Sequence, residues 1–128
     1  MFLLFISAIC LFNFINAKAL GYSLLGKVIY LDAGHGGVDV GACYKDIHEE
    51  DINLAITLKL KDKLESMGAR VLLTRNGDYD LSDKNASLRK RSDLGNRAKL
   101  INNSKADLYL SIHLNSSLNS SWNGAQVF

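Results

Sequence analysis

Apolar and polar positions fall into blocks along this chain, and the period changes from block to block. Lys27 to Leu31 contains a short apolar run of Val, Ile, Tyr and Leu that ends in Asp32-Ala33-Gly34-His35-Gly36-Gly37, the pattern of a buried strand entering a glycine-rich loop. From Asp51 to Met67, Ile52, Ala55, Ile56, Leu60, Leu64 and Met67 recur at spacings of three and four, with Lys59, Lys61, Asp62 and Glu65 between them. This spacing predicts an amphipathic helix stopped by Gly68. Val71 to Thr74 reads as a second strand. The polar stretch Arg75 to Ala86 has turn chemistry at Asn76-Gly77 and candidate N-caps at Ser82 and Asp83. A second helix is predicted from about Ser87 to Asn103, with Leu88, Arg91, Leu94, Ala98 and Ile101 on one side. Leu108 to Ile112 forms a third predicted strand, followed by His113 and a Ser/Asn-rich loop from Asn115 to Asn123; Gly124 to Phe128 then opens a fourth strand. Strand, helix, strand, helix, strand implies an α/β fold: an open, mostly parallel or mixed sheet with helices on both faces.

The segment Phe2 to Ile15 stands apart because it has no charged side chain. It is short for a membrane span and suits the apolar region of a secretory signal, and Ala17-Lys18-Ala19 offers small residues at the spacing of a cleavage site. A positive leading region is absent apart from the terminal amine. Residues 1–26 are therefore expected to be a signal peptide or an uncleaved N-terminal anchor with a short linker, and the chain to be exported. It would act outside the cell, at the wall or tethered facing outward, with membrane contact only through an uncleaved segment. Of the 2 cysteines, Cys10 would leave with the signal and Cys43 would stand alone, so no disulfide framework is available. At 128 residues, 48% hydrophobic and 22% charged, with no proline and a net charge of +2, one globular domain is the most that fits. Lys and Arg are interleaved with Asp and Glu, which argues against nucleic acid as a partner.

In open α/β sheets, ligands collect beyond the carboxyl ends of the strands. Of the 3 histidines, His35 and His113 each fall just past such an end, and His48-Glu49-Glu50-Asp51 opens the first helix. Two imidazoles and one carboxylate with a position left open is a recurring set for catalytic zinc. A plainer reading is also available: loop histidines are often only polar surface residues, and an acidic triplet favours the positive end of a helix dipole. The glycine-rich loop could instead cradle phosphate, but it lacks the Gly-Lys-Ser/Thr ending of a P-loop and the dinucleotide spacing. Its glycines are better explained by close backbone approach or positive φ beside His35.

Four ordered stretches, Lys27 to Ala42, Glu49 to Ile56, Leu73 to Asp78 and Ala106 to Asn115, resemble the successive motifs of zinc-dependent N-acetylmuramoyl-L-alanine amidases. The resemblance covers Lys27 to Phe128 and makes 27–128 the catalytic domain. It implies zinc as cofactor, peptidoglycan as substrate, and cleavage of the amide between muramic acid and the first L-Ala of the stem. Carried over by position, the metal ligands are His35, Glu49 and His113. Glu49 is chosen because the family's ligand stands two residues before the Asp-hydrophobe pair and four before the Asn, here Asp51, Ile52 and Asn53. Glu50 then occupies a variable position and His48 is no ligand. Asp32, Arg75 and Asn115, like Arg91 and Asn96, are expected in structural or supporting roles behind the ligands. The short hydrophobic leader without wall-binding repeats is similar to sporulation-type amidases.

The family uses a further glutamate, on a late strand, as general base and acid. This sequence has only Glu49, Glu50 and Glu65, and nothing matches the late residue, so no catalytic acid–base group is identified and the domain is expected to be C-terminally incomplete. Asp107 is no substitute, because it precedes the His113 strand by a full strand length. Two readings follow: an amidase whose last part is missing, or a metal- or wall-binding pseudoenzyme without turnover.

Overall fold

The computed structural model describes residues 22–114, 121 and 124–127. Residues 1–21 of the proposed leader and linker, and Asn115, lie outside the described residues. Strand β1 (Val28–Ala33) is the centre of a three-stranded sheet, flanked in parallel by β4 (Arg70–Leu73) and β5 (Leu108–Ile112) in the order β4-β1-β5. A small antiparallel hairpin, β2 (Cys43–Tyr44) and β3 (Ile47–His48), turns at Lys45, whose φ is 55°. Helix α1 (Glu49–Ser66) follows β3 directly, and α2 (Arg89–Asn103) connects β4 to β5. Both crossovers join parallel strands through a helix, as the alternation of periods predicts.

The β1 side chains alternate, so Ile29 and Leu31 face one way and Tyr30 and Asp32 the other. Ile29, Leu31 and Ala69 form the buried core, with Leu24, Leu60, Leu64, Val71, Leu73 and Leu110 packed against it. Helix α1 covers this face. The opposite face meets α2 through polar groups, chiefly Arg97 against Asp32. Helices therefore stand on both faces of a parallel sheet.

Both helices sit in a different phase from the one their apolar residues predict. In α1 the buried positions are Glu49, Glu50, Asn53 and Thr57, continuing into Leu60 and Leu64, while Ile56 is 41% exposed. The first two turns of α1 lie under the ligand loop, where hydrogen-bonding groups are needed, and the apolar stripe takes over only in its second half. In α2 the predicted stripe fails outright: Leu88 and Leu94 are 64% and 58% exposed, and the buried pair is Asp93 and Arg97. Ser82 and Asp83 are not N-caps. Helix α2 starts at Arg89 with Leu88 in the cap position and no capping side chain. Asp83 instead accepts from Ser92 and Asn96 within α2, and Ser82 donates to Asp80. No strand forms over 124–127, where Val127 is 96% exposed and has no buried face to fix a pairing.

Substituting Leu31, which is fully buried, by Ala should cost about 2–5 kcal/mol in urea unfolding. Leu94→Ala should change stability by less than about 0.5 kcal/mol, since that side chain points to solvent. Equal losses at the two positions would put the apolar face of α2 back against the sheet.

Candidate metal centre

The register of the sheet sets the site. Ala33 of β1 pairs with Ile112 of β5, and the Gly34 N–H donates to the Ile112 carbonyl at 3.0 Å. Hence His35 and His113 leave neighbouring strands at the same end, and their rings meet edge to face with centroids 4.9 Å apart. Gly34 makes this approach possible: a Cβ there would overlap the His113 ring. His35 itself is held at φ 62°, followed by Gly36 at 123° and Gly37 at 64°. A left-handed histidine is strained and persists only where its surroundings fix it.

Two buried guanidinium groups do this. Arg97 donates to the carbonyls of Ala33 at 2.8 Å and His35 at 2.6 Å while pairing with Asp32 at 2.7 Å and Asp93 at 2.8 Å. Arg75 donates to the carbonyls of Ala33, Gly34, Gly77 and Glu50, so it ties the β1 exit to the first turn of α1. Asp32 collects Thr74, Ser111 and Tyr109 besides Arg97. Burial pushes the Asp32 carboxyl up, but the hydrogen bonds from Thr74, Ser111 and Arg97 and the Arg97 charge outweigh it, and the group lies below its ordinary value. Burial disfavours the Arg97 charge, but Asp93 and Asp32 more than compensate and raise its pKa. Asp32 and Arg75 thus shape the loop and do not reach the ligand atoms.

Glu49, the first residue of α1, completes the centre. Its Oε1 lies 3.2 Å from His35 Nε2 and 3.2 Å from His113 Nδ1, and one ligand atom from each of the three residues falls within 4.8 Å of the others. Backbone N–H groups aim at the carboxylate: Ala42 donates to Oε2 at 2.9 Å and Leu114 to Oε1 at 3.0 Å, with Asn53 Nδ2 at 3.3 Å. Burial works against ionisation here, yet these donors and the nearby His35 hold Glu49 at about 2. The carboxylate is therefore ionised at neutral pH. Gly41, at φ 71°, lies so close that a Cβ would meet His35 and Glu49 at 2.7–2.9 Å. Two imidazole nitrogens and an ionised carboxylate, converging in a cradle kept free of side chains, form a donor set that fits a divalent metal such as zinc.

His48 takes the N-cap position of α1 outside this group. Glu50 is buried at 4% exposure and points elsewhere, with burial first and then neighbouring Asp78 raising its pKa. Arg91 is exposed, and Asn96 donates to the Leu81 carbonyl, so neither touches the centre. Asp107 binds the Val28 N–H and Lys27 at the opposite end of the sheet, far along β1 from the ligands.

The family model for N-acetylmuramoyl-L-alanine amidase matches residues 29–128. This chain belongs to the N-acetylmuramoyl-L-alanine amidase family. It is 48% identical over 108 residues to the germination-specific N-acetylmuramoyl-L-alanine amidase of Bacillus subtilis, covering 82% of this chain and 46% of that protein. It is 42% identical over 94 residues to the endolysin of Bacillus phage SPP1, covering 71% of this chain and 30% of the endolysin. Among solved structures, the CwlD amidase of Clostridioides difficile, in complex with the GerS lipoprotein, superposes with a TM-score of 0.71 at 47% identity over 76% of this chain and 52% of that one. The catalytic domain of CwlV, an N-acetylmuramoyl-L-alanine amidase from Bacillus (Paenibacillus) polymyxa, gives 0.63 at 38% identity over 77% of this chain and 50% of that one. The chain thus spans about half the length, or less, of these relatives.

Within this amidase domain, the groups that sequence reasoning passed over are Arg97, Asp93 and Asp39. An Asp and an Arg four apart in a helix with a poor apolar stripe were the available signal for the first two. Asp39 carried none beyond its place four residues after His35.

Asp32 ties the pH dependence of stability to this loop. A carboxyl whose folded pKa is depressed stabilises above its unfolded value, near 3.8, and that contribution is lost as pH falls through the folded value. The contribution of Asp32 to the unfolding free energy should therefore be level from about pH 7 to pH 5 and decline on further acidification. Asp32→Asn should lower stability at pH 7 by about 3–5 kcal/mol, because Arg97 stays buried without this partner, and should reduce the acid-side slope. An unchanged slope in the variant would remove Asp32 from that role.

Proposed function

We propose that the protein containing this domain is a zinc-dependent hydrolase of the amide bond between N-acetylmuramic acid and L-alanine in peptidoglycan. The observation that carries it is the convergence of His35, Glu49 and His113 at the carboxyl end of the sheet, within a chain that matches the amidase family over 29–128. His35, Glu49 and His113 would hold the ion, which supplies Lewis acidity toward the amide carbonyl and toward water. Glu49 contributes a full negative charge, because the Ala42 and Leu114 N–H groups keep it ionised. Gly34 and Gly41 keep the approach open, and Arg97 and Arg75 fix the loop so that little rearrangement is needed on binding. Proton transfer to the departing L-alanine amine is assigned to none of the three glutamates: Glu49 is a ligand in this reading, Glu50 is buried away from the ligand atoms, and Glu65 pairs with Lys61 at 2.6 Å.

The likeness to a germination-specific amidase supports peptidoglycan acted on in germination as the substrate, and hence action outside the cytoplasm. In this reading the apolar segment of residues 1–26 directs export, the linker that follows it packs Leu24 against the core, and 27–128 belong to the catalytic domain. Among the described residues no helix is long and apolar enough to cross a membrane. The GerS complex of the CwlD amidase supports a lipoprotein partner as part of the same reading.

Full-length protein incubated with purified peptidoglycan should expose new amino-terminal L-alanine, detectable by amine labelling. Activity should vanish with EDTA and return with zinc. The protein should bind about one zinc per chain, and His35→Ala/His113→Ala should abolish it. New reducing ends without new alanine amines, or metal content unchanged in the double variant, would refute the proposal.

A further inference from the structure

An imidazole has two nitrogens, and in its neutral form only the unprotonated one can bind a metal. At His35 the two face different carboxylates. Nε2 looks toward Glu49 Oε1 at 3.2 Å, inside the ligand group, whereas Nδ1 looks away toward Asp39 Oδ2 at 3.1 Å. We infer that Asp39 is the positioning residue of this centre: it accepts the Nδ1–H of His35, fixes the proton on that nitrogen, and presents Nε2 to the metal. The inference rests on the metal-site reading proposed above.

Asp39 is itself restrained. Its backbone pairs with Gly36 in both directions, the Gly36 N–H donating to the Asp39 carbonyl at 2.9 Å and the Asp39 N–H to the Gly36 carbonyl at 3.3 Å. This closes a four-residue turn right after His35 and brings residue 39 back beside the ring. The turn depends on Gly36 and Gly37 at positive φ, and a Cβ on Gly37 would press on Asp80. On the side chain, Oδ1 accepts from the Gly41 N–H at 3.4 Å and Oδ2 lies 3.3 Å from Lys90 Nζ at the start of α2. Lys90 is 69% exposed, so its pairing is worth little, and the turn does most of the restraining.

The ring needs such an anchor. The backbone of His35 is fixed by Arg97 on its carbonyl, but a guanidinium there leaves χ1 and χ2 free. Of the ring's two nitrogens, only Nδ1 has a partner that is not a ligand. Glu49 Oε1 is an alternative acceptor for a proton on Nε2, the state that would block the metal; Asp39 offers the competing acceptor that keeps Nε2 available. Carboxylates in this position usually change metal affinity by about 10–100-fold.

The test uses the full-length protein and zinc. Competition with a chelating dye should show Asp39→Ala binding zinc about 10–100-fold more weakly, with Lys90→Ala within about threefold of the parent. Asp39→Asn, whose amide oxygen still accepts from Nδ1–H, should recover most of the loss. In parallel, 15N-histidine NMR of the zinc-loaded parent, with His35 assigned through His35→Gln, should show Nδ1 protonated and Nε2 metal-bound; this needs no Asp39 variant and so survives any folding defect. Metal on Nδ1, or Asp39→Ala binding within twofold of the parent, overturns the positioning role and leaves the metal site standing. A parent protein that binds no zinc, or a His35→Ala/His113→Ala variant that binds it as well as the parent does, overturns the metal site and this inference with it.

Discussion

The buried Arg97 guanidinium organises the site end of this domain. It is 4% exposed, and it satisfies Asp32 and Asp93 together with two backbone carbonyls, one of them on a left-handed histidine. An isolated charge at that depth would be prohibitive, so the arrangement holds only while all partners are present. The consequence is cooperative. Strand β1, the His35 loop and α2 cannot shift independently, because each supplies part of the same guanidinium's shell. Arg75 repeats the device on the other side of the loop, joining it to α1 through the Glu50 carbonyl. Two rigid planar cations thus replace the side-chain packing that a glycine-rich loop cannot provide.

This constraint explains why the chain's apolar periodicity misleads locally. Where a helix packs on the core, as α1 does with Leu60 and Leu64, the apolar spacing reads correctly. Where it packs on the site, the buried residues are Glu49, Asn53 and Thr57 in α1 and Asp93 and Arg97 in α2, and a hydrophobic pattern cannot find them. The order of elements and the parallel sheet were legible, because β1 buries Ile29, Tyr30 and Leu31 and the partly buried Val71, Leu73 and Leu110 of its neighbours pack against that core. The convergence of His35 and His113 was legible for a related reason: parallel strands in a sheet of this type end on the same side. The hairpin of β2 and β3 gave no sequence signal, having only two residues per strand and exposed Tyr44 and Ile47.

Glu49 shows how fold and site share one set of groups. Its side chain accepts the Ala42 N–H and its own N–H donates to the Ala42 carbonyl at 2.9 Å, so the hairpin, the start of α1 and the carboxylate are closed into one unit. Leu114, just beyond β5, donates to the same carboxylate and draws the His113 segment into that unit. A carboxylate used this way serves the folded state even before any ion arrives, since it pairs backbone N–H groups that have no sheet or helix partner.

The same economy sets a limit on the metal-free state. In it, the nitrogens of two histidines and one carboxylate oxygen stand within hydrogen-bonding distance, and any proton there must sit between a ring and Glu49 Oε1. A divalent cation held there would neutralise the convergent lone pairs and so favour the folded chain, which brings residues 35, 49 and 113 together. Such stabilisation would follow RT ln(1 + [L]/Kd), because the unfolded chain offers these side chains only singly. The network around Arg97 would therefore bear on metal affinity without reaching the ligand atoms, since it holds the His35 carbonyl: whatever loosens the His35 loop lowers the fraction of chains in which the three separated residues meet.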